Sequence, residues 1–306
     1  MQSLTLDEQK ALSKCNVAMG MLTIAAQWGM ILGALTLATY FDSFLLAMAS
    51  FVVIATRQHA LAILMHEAAH GNLTGSQKRD EWLSDFLLSF PLMVSTKLYR
   101  VHHLKHHARL GFPDDPDAND NDWPTSVVGF IRTVISDVTG LNFIRSLRTA
   151  QSFSVISVLM SPLKTGPVGL ERRIGFVIFT MAFVAFMLYT FGWVATLLLW
   201  YLPLITLTQA LIRFNAYAEH GGCTHGGRLE SARTTTSNVF GRFVFAPCGI
   251  NYHLEHHLYP SIPGYRLRAL HERLMKDERY AEKAHVTDGY IIGRTSFVSE
   301  VCRPFA

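Results

Sequence analysis

Four long apolar stretches constrain this chain more than any other feature. They run over residues 16–41, 44–65, 174–191 and 193–212, and each comes near the roughly 20 helical residues that cross a hydrocarbon core of about 30 Å. A helix in a soluble core is seldom apolar on all sides for that length. Half of the 306 residues are hydrophobic and only 16% are charged, so the chain is read as an all-α membrane protein with four transmembrane helices.

The basic residues orient those spans. Lys10 and Lys14 precede the first, Arg57 to Arg173 lie at or beyond the end of the second, and Arg213 onward follow the fourth. The short connections around Asp42 and Gly192 carry no Lys or Arg. The positive-inside rule therefore places both termini, residues 66–173 and residues 213–306 in the cytosol. This distribution accounts for the net charge of +4 through the lipid bilayer, with no nucleic-acid partner required. The first span is longer than the h-region of a cleavable signal and follows Asp7 and Glu8, so it is expected to be retained. Cys15, Cys223, Cys248 and Cys302 have no paired spacing and are expected to be reduced thiols.

Nearly all polar residues thus fall in two blocks on one side, forming a histidine-rich cytosolic cap with interfacial helices in a single domain, 1–306. Residues 82–98, with Pro91 at the centre, suit a half-buried helix too short to span. Residues 111–124 are rich in Asp, Asn and Pro and read as a loop. Residues 125–173 alternate apolar runs with Arg132, Arg145, Arg148, Lys164, Arg172 and Arg173, the pattern of amphipathic helices on an anionic membrane surface.

The cap contains a repeat. His103-Leu104-Lys105-His106-His107 and His253-Leu254-Glu255-His256-His257 are the same pentad with one charge exchanged. At the chain's histidine frequency a three-histidine pattern arises by chance about 0.03 times, so two copies are not accidental. On a helix, positions i, i+3 and i+4 share a face, and each pentad is expected to direct its three imidazoles to one point. His66 and His70, at i and i+4, form a third set where the second span leaves the membrane. Two crossings separate the last set from the others and return the chain to the same side, so all eight imidazoles can meet. Imidazole sites suit Zn, Cu, Fe and Ni. Zinc takes three or four protein ligands, whereas eight or nine histidines provide for two ions with open positions.

These boxes resemble the membrane fatty-acid desaturase superfamily of acyl desaturases, alkane hydroxylases and carotenoid ketolases, over about residues 16–274. The similar features are His66-Glu67-Ala68-Ala69-His70, the first pentad followed by Asp115-Pro116-Asp117, and Asn251-Tyr252 before the second pentad with Pro260-Ser261-Ile262-Pro263-Gly264-Tyr265 after it. The resemblance implies two iron ions and a ninth histidine, which Glu219-His220-Gly221 assigns to His220. Some acyl-CoA desaturases add an Asn four residues earlier; that position is Ala216 here, with Asn215 beside it. The wider spacing of alkane hydroxylases would use His102 in place of His103, but the repeat favours His103. The expected metal ligands are therefore His66, His70, His103, His106, His107, His220, His253, His256 and His257. Glu67, Asp115, Asp117, Glu219, Glu255 and Asn251 stand close enough in sequence to receive the ligands' outer N–H groups. His59 points the same way from deeper in the span, as a hydrogen-bonded core histidine or a proton-delivery group. His225, His271 and His285 are read as ordinary histidines, and residues 233–238 as a solvent loop or a grip on a polar head group.

The implied activity is dioxygen-dependent oxidation of an unactivated C–H bond in a lipid-like acyl substrate, foremost fatty-acyl desaturation. Hydroxylation, ketolation, terminal-alkene formation and desaturation of an amino-acid-derived substrate are the alternatives. No dinucleotide fingerprint, haem motif or iron–sulfur motif is present, which points to a separate electron-donor protein. Two rivals remain. His66-Glu67-Ala68-Ala69-His70 also fits the H-E-x-x-H pattern of an intramembrane zinc protease, with Glu67 as base, and facing histidines could serve a haem or metal carrier.

Overall fold

The structure is a computed structural model and describes residues 4–112, 114–117, 124, 126–143, 153–160, 162, 166, 168–223, 227–293 and 295–301. Its helices in chain order begin with α1 (Leu6–Ser13), α2 (Val17–Tyr40), α3 (Phe44–Ala69), α4 (Gln77–Ser84) and α5 (Thr96–Arg109). Next come α6 (Val127–Val138), α7 (Val155–Met160), α8 (Leu170–Ala195), α9 (Leu202–Ile205) and α10 (Leu207–His220). The strand β1 (Thr234–Thr236) precedes α11 (Val239–Val244), α12 (His253–Leu258), α13 (Gly264–Leu274) and α14 (Glu278–Lys283). The strand β2 (Val286–Asp288) and α15 (Phe297–Val301) complete the order. The chain forms two compact units: Val17–His102 with Ser136–Leu211, and Met1–Asn16 with His103–Ile135 and Ile212–Ala306.

The first of these units contains most of the apolar surface. Among the described residues, three helical stretches are long and apolar enough to cross a membrane: Val17–Tyr40, Phe44–Ala69 and Leu170–His220. Side chains such as Leu45, Met181 and Tyr189 are exposed, as expected where lipid is the solvent. The third stretch, 51 residues, would measure about 76 Å as one straight helix. It folds back instead. Gly192 has φ 77° and ψ 170°, a conformation open to glycine at no steric cost. Phe183 and Trp200, on either side of it, bring their ring centroids to 5.1 Å, where a straight helix would hold them about 25 Å apart.

Several local expectations change here. α3 continues to Ala69, so Arg57 lies well inside the helix and not at its end; it is buried and donates from Nη1 to Gln27 Oε1 at 2.8 Å. The expected helix over 82–98 is broken in two. A π turn, Asp85–Ser89, ends the α4 segment just before Pro91, which lacks an N–H and cannot continue the ladder. Arg172 Nε reaches Asp85 Oδ2 at 2.7 Å and fixes the start of α8 against this turn. α6 has exposed Val128, Ile131 and Ile135 at helical spacing, an apolar face of the expected amphipathic kind. Arg145, Arg148, Lys164, His225 and Cys302 lie outside the described residues, as does half of the 111–124 loop.

The other unit is built on the second pentad. Leu267, Leu270 and Leu274 form one face of α13 and pack with Leu254 of α12, Ile262 and Tyr280 in a buried core. Gly249, at φ 87°, brings its backbone so close to Gly264 that an added Cβ would meet the Gly264 carbonyl oxygen at 2.4 Å. The departure from an all-helical chain is small: β1 and β2 pair in parallel, Thr234 opposite Val286 and Thr236 opposite Asp288. Residues 233–236 are accordingly not a solvent loop. Arg233, Thr234 and Thr235 are all buried.

Candidate metal centre

Seven of the nine expected ligands fall in one unit: His103, His106 and His107 from α5, His220 at the end of α10, and His253, His256 and His257 on α12. The pentads do not each converge on one point. His107 Nε2 lies 2.9 Å from His103 Nε2 and 3.0 Å from His256 Nε2. His253 Nε2 lies 2.9 Å from His220 Nε2 and 3.0 Å from His257 Nε2. His106, His220 and His257 also offer ligand atoms within 4.8 Å of one another. Each pentad thus contributes its i, i+4 pair to one group and its i+3 imidazole to the other. Helix geometry explains the split: relative to position i, residue i+4 is rotated about 40° one way and i+3 about 60° the other.

A hydrogen-bond account of these contacts fails. An imidazole nitrogen has a single in-plane site, either N–H or lone pair, yet the Nε2 atoms of His107 and His253 each have two imidazole neighbours. A shared cation satisfies all of them. Nitrogens bound at about 2.1 Å with a right angle between them lie about 3.0 Å apart, and the four observed separations are 2.9–3.0 Å. The donor set therefore fits a transition-metal ion in each group.

The outer nitrogens support the same polarity. His106 Nδ1 donates to Asp115 Oδ1 at 2.9 Å, with Asp117 Oδ2 at 3.5 Å. His220 Nδ1 donates to the Ser231 carbonyl at 3.1 Å, and His253 Nδ1 faces Glu219 Oε1 at 3.2 Å. A proton on Nδ1 leaves the Nε2 lone pair directed into the group. Burial and the surrounding imidazoles hold His257 well below the usual histidine range, in the neutral form that binds metals. Asn215 donates to Glu219 Oε1 at 2.7 Å, so it stands behind the carboxylate that faces His253.

In the other unit, His66 and His70 pair at the end of α3, ring centroids 5.1 Å apart. Glu67 Oε1 is 3.6 Å from His66 Nδ1, too far for a hydrogen bond. His59 is fully buried in the same helix. His102 packs its ring on Phe153 at 5.5 Å, and His103 is the residue that joins the imidazole group.

Two expected ligand partners act elsewhere. Glu255 is fully buried and accepts from His271 Nδ1 at 2.5 Å, from Tyr280 Oη at 2.6 Å and from Thr234 Oγ1. It ties α12 to α13, α14 and β1, because an odd position between the box histidines faces away from them. Asn251 donates from Nδ2 to the Thr235 carbonyl and its own carbonyl accepts from Thr235 N, anchoring the approach to α12. No local pattern assigns Thr234, His271, Tyr280 and Ser231 these roles, since their partners lie 11 to 25 residues away in sequence.

The sequence profile of the fatty acid desaturase family matches residues 43–289. The chain is 28% identical to dihydrorhizobitoxine desaturase from Bradyrhizobium elkanii over 92% of its own length and 84% of that protein's. It is 24% identical to the sn-1 acyl-lipid omega-3 desaturase (ferredoxin) from Synechocystis over 80% and 72%. To the sphingolipid delta(4)-desaturase/C4-monooxygenase from Homo sapiens it is 28% identical over 68% and 59%.

Proposed function

This chain belongs to the fatty acid desaturase family, and from that membership we propose that it introduces a double bond into a fatty-acyl chain at two iron ions, with dioxygen as oxidant. Iron is the metal of the family. One ion would be held by His106, His220, His253 and His257. The other would be held by His103, His107 and His256, completed by His66 and His70, which the membrane crossings inferred from the sequence return to the same side. The observation that carries this reading is the pair of Nε2 atoms, on His107 and His253, each flanked by two other imidazole nitrogens.

When bound, iron supplies the redox chemistry by which dioxygen is activated toward an unactivated C–H bond. The protein's share is positional. Asp115 and the Ser231 carbonyl would hold the outer nitrogens of His106 and His220 and so fix ring tautomers and orientations, with Asp117 and Glu219 close to the outer nitrogens of His106 and His253. Burial of His103, His106, His253, His256 and His257 would keep water from the nitrogens that would hold the ions. Electrons would arrive from a separate donor; a ferredoxin is favoured by the name of the Synechocystis relative. The whole chain, 1–306, would act as one membrane domain with four spans and both termini cytosolic. The turn at Gly192 supports the fourth span. A tag after Ala306 and an alkylation reporter near Asp42 should report opposite sides of the membrane.

Two neighbouring readings have support. The human relative's name includes a C4-monooxygenase, which keeps hydroxylation in view, and the similarity to dihydrorhizobitoxine desaturase over most of the chain keeps desaturation of an amino-acid-derived substrate in view. Mass spectrometry of lipids and small metabolites from cells with and without the gene, under air and under nitrogen, decides among them. Metal analysis of the purified protein decides the centre. Two irons per chain and an oxygen-dependent double bond are expected; one zinc with peptide cleavage, or haem absorbance, would overturn the proposal.

A further inference from the structure

We infer that the C-terminal segment 285–301, most of it beyond the stretch matched by the family profile, is a latch that holds the His220 end of α10 through Arg233. The inference rests on the reading of His220 as an iron ligand. A helix ends with carbonyls that have no intrahelical partner, and here Arg233 occupies three of them or their continuation. Its Nη1 donates to the Ala218 carbonyl at 2.9 Å, its backbone N to Glu219 at 2.8 Å and its Nη2 to Gly221 at 2.8 Å. Ser231, two residues earlier, accepts from His220 Nδ1. Residues 231–233 thus form a collar around the turn that presents His220.

What holds the collar comes from the tail. The Arg233 side chain is fully buried, and its counter-charge is Glu300, whose Oε1 lies 3.3 Å from Arg233 Nη2 and 2.5 Å from His285 Nε2. A buried guanidinium is held only where it is both paired and hydrogen-bonded. Phe297 lies beneath the guanidinium, its ring centroid 5.3 Å from Cζ, and packs edge-on against Tyr217 of α10 at 5.0 Å. The tail itself is docked by backbone bonds from Phe297 N to Gly289 O and Val298 N to Tyr290 O, and β2 pairs with β1 directly after Arg233. Charge, ring stacking and strand pairing therefore all converge on the residue that caps the ligand-bearing helix.

The test uses the full-length protein in nanodiscs, with Glu300→Gln as the mild variant and Arg233→Lys, which keeps the charge but loses the planar fork. Hydrogen exchange at the amides of Gly221 and Cys223 should rise about tenfold or more in both variants, while amides in the α13 core stay unchanged; unchanged exchange at Gly221 and Cys223 overturns the latch whether or not iron is bound. Iron release to a chelator should also accelerate, by about 10- to 100-fold. In a His220→Ala background the same substitutions should add less than about twofold. Equal acceleration in both backgrounds would show general loosening and overturn the inference. Wild-type protein without iron would refute the proposed function instead, with the exchange arm still deciding the latch.

Discussion

Replacing Asp115 tests whether the carboxylates behind the imidazoles tune the metal centre. His106 Nδ1 has two acceptors of unequal quality. Asp115 is 2.9 Å away with a side chain 4% exposed, whereas Asp117 is 3.5 Å away and 38% exposed. A buried hydrogen bond to a charged group contributes about 1.5–3 kcal/mol, equivalent to roughly 10- to 150-fold in the affinity of a site that depends on that imidazole. A half-exposed contact at the longer distance is worth under about 1 kcal/mol, or less than about fivefold. Asp115→Ala should therefore lower iron affinity about 10- to 100-fold, Asp115→Asn less because an acceptor oxygen remains, and Asp117→Ala only a few-fold. The loss should concern one ion of the two, since His106 joins the group of His220 and His257 and not that of His103 and His107. Iron per chain, measured by mass spectrometry after dialysis against graded chelator, reads both quantities. An equal cost for Asp115→Ala and Asp117→Ala, or an unchanged iron content in both, would refute the argument that the shorter, drier contact dominates.

Three further expectations follow from single contacts. Tyr280→Phe removes one of three donors to buried Glu255 and should lower stability by about 1 kcal/mol, whereas Glu255→Ala strands three donors at about 1–3 kcal/mol each; thermal melts of the two variants should differ severalfold in effect. Burial pushes His285 down, but its contacts with Cys223 and Glu300 outweigh this and raise it to about 9. Its stabilising contribution is then complete below an unfolded pKa of about 6.5 and is lost as pH rises through 9, so the melting-temperature difference between wild type and His285→Asn should shrink over that window and not below it. Glu67→Gln should retain oxygen-dependent oxidation, because Glu67 lies beyond hydrogen-bond distance of His66; complete loss of turnover with normal iron content would show that Glu67 takes part in the chemistry.

The histidine clusters and the long apolar helices are legible from residue order, because both rest on local geometry. An i, i+3, i+4 pattern on one helix needs no distant partner to be recognised, and an apolar run of membrane-spanning length is a property of its own residues. Asp115 could be singled out as well, since it lies nine residues from His106 and reaches its outer nitrogen, whereas Glu219, next to His220, faces His253 instead. The same kind of reasoning misplaced Glu255, which sits inside a pentad but turns to Thr234, His271 and Tyr280. Residue order determined which imidazoles are available; only the packing of α5, α10 and α12 decided that each pentad divides between two groups. Likewise, nothing near Arg233 in sequence announces that it closes the end of α10 with Phe297 and Glu300 behind it. Local periodicity is set by backbone geometry and can be read one helix at a time, whereas these partners are tens of residues apart and their meeting depends on how every intervening element packs.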